Sequence, residues 1–449
     1  MVETQPELLA HHYTEAGLIE KAVDYWYQAG QRSIKRSANM EAIAYLSKGL
    51  NLLEVLPETP ERTQHQIMLY IALGNPLIVT KGYASPEVER VYTRAWQLCQ
   101  HIEETQQFVW VLFGLRRFYF HRGQVQMARD LAERSLVLAQ NGSDQVILLE
   151  AHLALGATLY SPGELVNAHA HLETCLTLYK PKWDQSHTAL YGIDLGVNAR
   201  SHTVRVLWLL GYPDQALQRS HEALHLAKEL SHPYSQAFAL YFASVVHCFR
   251  REGQMVHEHT ETLIALAIEQ VFPFFVALAT MLQGWALATQ GQAAEGIVKI
   301  RQGLTALRST GEELEQLWFH ALLVEACENV GQVEEGLCVL ETTLALVDKT
   351  GERYYEAELH RLKGELLLQQ SSDNRDDAET CFHQAIAIAQ HQSAKSLELR
   401  AATSLAQLWQ SQYKREESRE LLSEIYHWFT EGHDTADLID AKTLLDELA

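Results

Sequence analysis

The sequence predicts an all-α, tetratricopeptide-like α-solenoid, a right-handed superhelix of helical hairpins with a repeat of about 40 residues. Three observations carry this expectation. The first is a unit, LLGYPDQALQRSHEALHLA from Leu209 to Ala227, that reads as helix end, tight turn and helix start. Gly211 closes one helix, Pro213 and Asp214 open the next, and Ala216, Ser220, Ala223 and Ala227 form a small-residue stripe that lets a neighbouring helix approach closely. The second is recurrence, because a glycine followed five residues later by a small residue returns at Gly17/Ala22, Gly123/Ala128, Gly163/Ala168, Gly291/Gly296 and Gly331/Gly336. The third is spacing. From Val88 the second-helix anchors fall at Ala128, Ala168, Ala216, Glu258, Gly296, Gly336, Ala378 and Ser418, so each helix should run about one turn longer than in a 34-residue repeat.

In chain order, the first hairpin carries Ala10 and Tyr13, then Ala22, Trp26 and Ala29. The helix from Leu18 to about Lys35 serves twice, since Gly30, Ala42, Leu46 and Gly49 continue the register until Pro57 and Pro60 end it. Residues 1–60 are thus expected as N-terminal hairpins, 61–428 as the repeat array and 429–449 as a capping helix. A helix over 62–73 is expected next, then a loop containing Pro76, Gly82 and Pro86, then a helix carrying Val88, Tyr92 and Ala95. First-helix small residues stand twelve before the anchor at Gly156, Gly284 and Ala406; Arg116, Val204, Val324 and Leu366 depart, and a two-residue insertion restores Gly364. Residues 179–202, with Pro181, Gly192 and Gly196, read as an irregular loop, and the polar run near Gln370 as an inter-helix turn. At the end, Asp434 or Thr435 caps a helix whose stripe is Leu438, Ala441, Leu445 and Leu448.

Composition narrows the function classes. A chain of 449 residues with 47% apolar content would ordinarily split into several cores, a limit that a solenoid escapes. The six cysteines are scattered with no CxxC pair, which points away from a disulfide framework or structural zinc and towards a reducing, cytoplasmic setting. The N-terminus has no basic and apolar run of the signal-peptide kind. Phe272 to Ala288 approaches membrane-span length, but it starts with Pro273 in phase with the repeat and reads as a buried helix. A net charge of −21 argues against nucleic acid and anionic membrane as partners.

Several motifs raise chemistry and then fail a geometric test. HEALH, His221 to His225, satisfies the H-E-x-x-H zinc-protease pattern, so a zinc-dependent hydrolase using His221, Glu222 and His225 is the alternative function. On a helical wheel both histidines fall away from the small stripe, on a face with no cleft wall. His169/His171 and His257/His259 are two apart and diverge by about 200° on a helix. Gly291/Gly296 and Gly331/Gly336 have phosphate-loop glycine spacing, but Ile297 and Leu337 follow where Lys is required. Neither a G-x-S-x-G elbow nor a GxGxxG fingerprint occurs, and no cofactor or metal site is expected.

The repeat register offers better candidates. First helices line the concave surface of such a stack, at positions three before, one after and four after each small residue. Those positions give Phe113, Arg117, Phe120, Tyr160, Arg205, Trp208, His247, Arg250 and Trp285, arginines among aromatics, as a groove for an acidic or carboxylate-bearing peptide ligand. The loop around Trp183 and Tyr191 would then fold over it as a lid. A second assignment puts the aromatics in inter-repeat core and pairs the arginines with local glutamates; the pattern leaves both open.

Longer strings resemble one family. PELLAHHYTEAGLIEKAVDYWYQAGQRSIKRSANMEAIAYLSKGL, GYPDQALQRSHEAL, TGERYYEAELHRLKGELLL, SLELRAATSLAQLW and WFTEGHDTADLIDAKTLLDEL look like the tetratricopeptide-rich C-terminal region of large bacterial signalling ATPases of the STAND type, often fused to a class III adenylate or guanylate cyclase domain. The resemblance implies the sensor part alone, a non-catalytic scaffold that binds a protein, a peptide or a small-molecule inducer and restrains or releases an attached ATPase or cyclase module. ATPase and cyclase motifs are absent from this stretch, so those activities attach to none of its residues. The repeat length is also similar to that of MalT-like regulators, but no helix-turn-helix follows the capping helix, which disfavours a transcription factor.

Overall fold

A computed structural model describes residues 5–100, 106–180 and 191–449. Among them lie twenty-two α-helices, one 3-10 turn at Ser372–Asn374 and no strand, so the chain is an all-α, tetratricopeptide-like solenoid. It opens with α1 (Pro6–Glu15), α2 (Ile19–Lys35), α3 (Asn39–Leu53), α4 (Pro60–Lys81) and α5 (Pro86–Cys99). Eight hairpins follow. Their first helices are α6 (Gln106–His121), α8 (Gln145–Leu159), α10 (Leu195–Leu210), α12 (Pro233–Phe249), α14 (Pro273–Thr289), α16 (Gln316–Asn329), α18 (Glu356–Gln370) and α20 (Lys395–Ser411). Their second helices are α7 (Val125–Asn141), α9 (Leu165–Leu178), α11 (Pro213–Leu230), α13 (Gly253–Glu269), α15 (Ala293–Ser309), α17 (Val333–Thr350), α19 (Arg375–Gln392) and α21 (Arg415–Tyr426), and α22 (Ala436–Leu448) ends the array.

The turn glycines behave as their positions predict. Gly17, Gly123, Gly163, Gly211, Gly291 and Gly331 all have φ between 69° and 96°, the left-handed region that ends a helix without a Cβ clash. Ser37, Arg251 and Tyr413 take the same conformation at turns that carry no glycine signal. The anchors Val88, Ala128, Ala168, Ala216, Ala378 and Ser418 are fully buried.

Four expectations change. Glu258 is exposed and accepts from Gln254, whereas Val256 is fully buried, so Val256 is the anchor of α13 and the spacing on either side of it becomes even. Pro76 lies inside α4 rather than in a loop. Ile71 to Val79 is buried, so apolar packing outweighs the one helix hydrogen bond that proline removes. The stretch 179–202 is not a loop throughout, since α10 begins at Leu195, where Asp194 Oδ1 accepts from the Val197 amide at 2.9 Å; Pro181 and Trp183 lie outside the described residues. In α22 the buried stripe uses Leu444 rather than Leu445. No side chain caps that helix, because Thr435 donates back to the Gly432 carbonyl and Asp434 reaches Arg250.

Among the described residues no helix is long and apolar enough to cross a membrane. The hydrophobicity of Phe272 to Ala288 is spent on packing: Phe275, Leu278, Ala279, Met281 and Leu282 are fully buried. Gly284 and Gly296 bring α14 and α15 into backbone contact, where a Cβ on Gly284 would stand 2.6 Å from the Gly296 carbonyl oxygen.

The superhelix closes on itself. His121 Nδ1 meets Glu312, Arg122 donates to the Gly311 carbonyl and Ser396 donates to the Trp208 carbonyl, pairs separated by 191, 189 and 188 residues of chain. The Glu313 and Leu314 amides donate to the His121 carbonyl, and the Arg353 and Tyr354 amides to the Ser161 carbonyl. One superhelical turn thus spans about five repeats, and the second turn stacks on the first, C-terminal ends of early first helices meeting N-terminal ends of late ones.

Candidate functional site

The stacking decides where the nine sequence-predicted residues stand. Phe113, Phe120, Tyr160, Arg205, Trp208, His247, Arg250 and Trp285 are all buried, and Arg117 is half-buried. Tyr160, Arg205, Trp208 and Arg250 meet residues of the next superhelical turn, and Phe113, Arg117, Phe120 and His247 are packed against nearer neighbours, so these eight do not present an open groove. Tyr160 and Arg205 come together on Glu315. Tyr160 donates to Glu315 Oε1 at 2.8 Å, and the Arg205 guanidinium reaches Glu315, the Tyr160 hydroxyl at 2.9 Å and the Tyr241 hydroxyl at 3.2 Å. Trp208 stacks on Phe249 with centroids 4.3 Å apart. His247 and Arg250 share Glu252, and Arg250 also reaches Asp434 at 3.0 Å and Asp214 at 3.4 Å. Arg117 donates to Asn75 and to the Tyr191 carbonyl. Phe113 and Phe120 belong to the same hydrophobic core as Tyr160, Trp208 and Trp285, with Phe120 edge-on to the Tyr160 ring. Arg205 and Arg250 therefore reach across to the next turn, Arg250 also pairing with the nearby Glu252, whereas the partners of Arg117 lie 42 and 74 residues away. Among the described residues, only Arg250 of the three arginines has the local glutamate partner that the second assignment foresaw. Tyr191 is buried against Trp110 rather than poised as a lid, and Trp183 lies outside the described residues.

Of the nine, Trp285 lines an open cavity. This open space of about 500 Å³ lies in the interior of the second superhelical turn, ringed by α12, α14, α16, α18, α20 and α22. That volume lies in the range of small-ligand sites. Apolar wall comes from Phe249, Trp285, Leu322 and Tyr355, and charge from six carboxylates (Glu325, Glu328, Glu358, Glu365, Asp437, Asp440) against three guanidiniums (Arg251, Arg361, Arg400). The register rule that names Trp285, carried on to Val324, Gly364 and Ala406, yields nine positions, of which Glu325, Glu328, Arg361, Glu365, Thr403 and Gln407 line the cavity and Ala321, Leu368 and Gln410 do not. The sequence signal was present and lay in the later repeats.

The guanidiniums are largely engaged. Arg361 reaches Glu358 at 2.8 Å and Glu365 at 3.3 Å, while Arg400 reaches Asp437 at 2.8 Å, Glu358 at 3.4 Å and the Phe249 carbonyl at 2.9 Å. Arg251, at the rim, pairs with Asp437 and Asp440. Burial pushes the Glu358 carboxyl up, but Arg361 and Arg400 outweigh it and hold the group below its usual value. Glu325 and Glu328 differ. Glu325 accepts only the Trp285 indole N–H at 2.8 Å, and Glu328 only the Gln369 amide at 3.1 Å, among the described residues. Burial raises Glu325, helped by the Glu358 charge, and raises Glu328 to about 7. Glu358 Oε2 and Arg361 Nε are buried without a partner.

The HEALH segment lies on α11 with His221 and His225 exposed. Glu222 is ion-paired with Arg219 at 2.9 Å and Arg200 at 3.7 Å, and His225 with Glu229 at 3.3 Å. His171 meets His152 rather than His169.

No family model matches the chain. An uncharacterised protein of Rhizobium meliloti (strain 1021) is 27% identical over 410 residues, which is 89% of this chain and 39% of that protein, so the chain spans well under half of its relative's length. Among solved structures, a Rap protein complexed with competence and sporulation factor is similar over 79% of this chain and 99% of its own, at 13% identity and a TM-score of 0.52. The apo form of the quorum sensor NprR from B. thuringiensis is 12% identical over 82% of this chain and 99% of its own, with a TM-score of 0.48. At these identities the Rap likeness is one of fold, and it agrees with the helical-repeat architecture built above.

Proposed function

We propose that the chain is a non-catalytic binding scaffold, the ligand- or protein-sensing repeat array of a bacterial signalling ATPase or cyclase system, working in the cytoplasm on a protein, peptide or small-molecule inducer rather than on nucleic acid or membrane. The observation that carries this reading is convergence: six helices from six successive repeat positions aim side chains into one cavity, and two stacked turns are joined through buried polar contacts. A ligand that bound there would alter how the turns pack, and the ends of a solenoid amplify such changes. The greater length of the Rhizobium relative leaves room for attached modules, and a Rap protein of this fold is recorded in complex with a factor. Against the hydrolase alternative, the glutamate needed as general base is already tied to two arginines and both histidines face outward.

The test is the reading frame around this stretch, followed by ATP hydrolysis of the full polypeptide or co-expressed pair with and without the repeat array. The proposal expects a nucleotide-hydrolysing module in frame or adjacent, whose basal rate changes when the array is removed. A rate indifferent to the array, or stoichiometric zinc with peptidase activity lost on His225→Ala, contradicts it.

A further inference from the structure

We propose that the cavity of the second superhelical turn binds an organic cation, an aliphatic primary amine held between Glu325 and Glu328 under the Trp285 ring. The inference rests on the scaffold reading and names its ligand class, opposite in charge to the acidic peptide that the sequence pattern favoured.

Charge balance points first to a cation. Both α16 carboxylates stand one helical turn apart on the face that lines the cavity, and their hydrogen-bond partners there are neutral, an indole and an amide. Three guanidiniums against six carboxylates leave the lining short of positive charge. The deficit is local, because Arg361, Arg400 and Arg251 are paired with Glu358, Glu365, Asp437 and Asp440. A second observation is independent of that count. Glu358 lines the cavity and is 1% exposed, and while its Oε1 is paired with Arg361 and Arg400 its Oε2 has no hydrogen-bond donor. Buried acceptors of this kind carry a cost that a donor entering the cavity removes. An ammonium group supplies three donors and no acceptor. The aromatic wall suits it as well, since the face of an indole or phenol ring attracts a cation and the apolar edges cover an alkyl stem.

The carboxylates also make the site pH-dependent. Glu328 feels Glu325 on its own helix and Arg361, Glu365 and Glu358 on α18, accepts from Gln369 of α18, and shares the cavity lining with neutral Thr289 on α14 and with Asp437 and Asp440 on α22. With its proton released at about pH 7, Glu328 is charged at pH 8 and mostly neutral at pH 6. A cation binds the charged form, so affinity falls on acidification.

The experiment is calorimetric titration of the whole chain with 1,4-diaminobutane, with 1,4-butanediol as the uncharged match and succinate as the anionic one, at pH 8 and pH 6. The inference expects saturable heat from the diamine alone at pH 8. It expects weakening towards pH 6 by up to about tenfold per unit below pH 7 for each carboxylate that must deprotonate. Glu325→Gln and Glu328→Gln should each weaken the diamine at least about tenfold, with the thermal melt of each variant taken as the check on folding. Succinate binding in place of the diamine, equal affinity at both pH values, or undiminished affinity in the double variant overturns it; the wild-type pH comparison decides the matter even if a variant fails to fold. Failure here leaves the ATP-hydrolysis comparison untouched, so the two readings fall separately.

Discussion

Arg205 is the residue on which the inter-turn packing depends most visibly. Its guanidinium is 1% exposed and touches Glu315, Tyr160 and Tyr241, with the rings of Phe242 and Trp318 against its plane. Glu315 sits in the left-handed region at φ 67°, with its amide bonded to Glu352, so its own backbone is held in a costly conformation by what surrounds it. Arg205→Met leaves that carboxylate buried without its cation and should cost about 3–5 kcal/mol in denaturant unfolding; adding Glu315→Gln should recover part of the loss. A single variant within about 1 kcal/mol of wild type contradicts the contact. Sequence spacing placed Arg205 on an inward face, but its partner stands 110 residues further on, and no local pattern records which loop of the next turn it meets.

At the scale of the element, register can be tested directly. Val256 is fully buried and Glu258 exposed, so Val256→Ala should cost about 1–3 kcal/mol and Glu258→Ala stay within about 0.5 kcal/mol; the reverse order would restore the spacing that the bare pattern suggests. Gly284→Ala inserts a methyl 2.6 Å from the Gly296 carbonyl and should cost about 1–3 kcal/mol, because two backbones must separate; an unchanged melt would mean that α14 and α15 do not cross there. Helix ends were legible where glycine or proline marks them, as at Gly211 and Pro213. They were not legible at α4, where a proline usually read as a breaker is carried inside the buried stretch Ile71 to Val79 of a continuous helix, nor at Arg251 and Tyr413, which turn without glycine.

At the scale of the molecule, the solenoid was legible because hairpins repeat in sequence, whereas its closure was not, since superhelical pitch depends on small rotations summed over about five repeats. Groove and core could not be told apart for the candidate residues because nothing local says that a second turn fills the space that Tyr160, Arg205, Trp208 and Arg250 face. Closure also sets the pH response. Burial raises Glu150 and Glu328 to about 7 and lifts Glu312 and Glu352 well above the carboxylate range, so the folded state holds protons that the unfolded chain releases. That contribution is present below the unfolded carboxylate value and is lost as pH rises through the folded ones. Burial lowers His121 to about 3 and His232, His320 and His360 to about 4, so their contribution is present above the unfolded histidine value and lost as pH falls. The two trends oppose each other between the unfolded carboxylate value of 4.5 and the unfolded histidine value of 6.5, so the melting temperature should be highest across that window, fall below it as the histidines charge and fall above it as the buried carboxylates ionise; a steady rise to pH 9 contradicts the assignment.

The central claim is that two superhelical turns are hydrogen-bonded to each other through their loops, and amide hydrogen exchange tests it most directly. The Glu313, Leu314, Arg353 and Tyr354 amides lie outside helices yet donate to the His121 and Ser161 carbonyls of the preceding turn. They should exchange about as slowly as the core of α10 or α14, and Arg205→Met should accelerate them while leaving helix amides of α2 unchanged. Exchange of these four amides at the rate of an open loop, in the wild-type protein, would mean that the turns do not stack and that the superhelix is open.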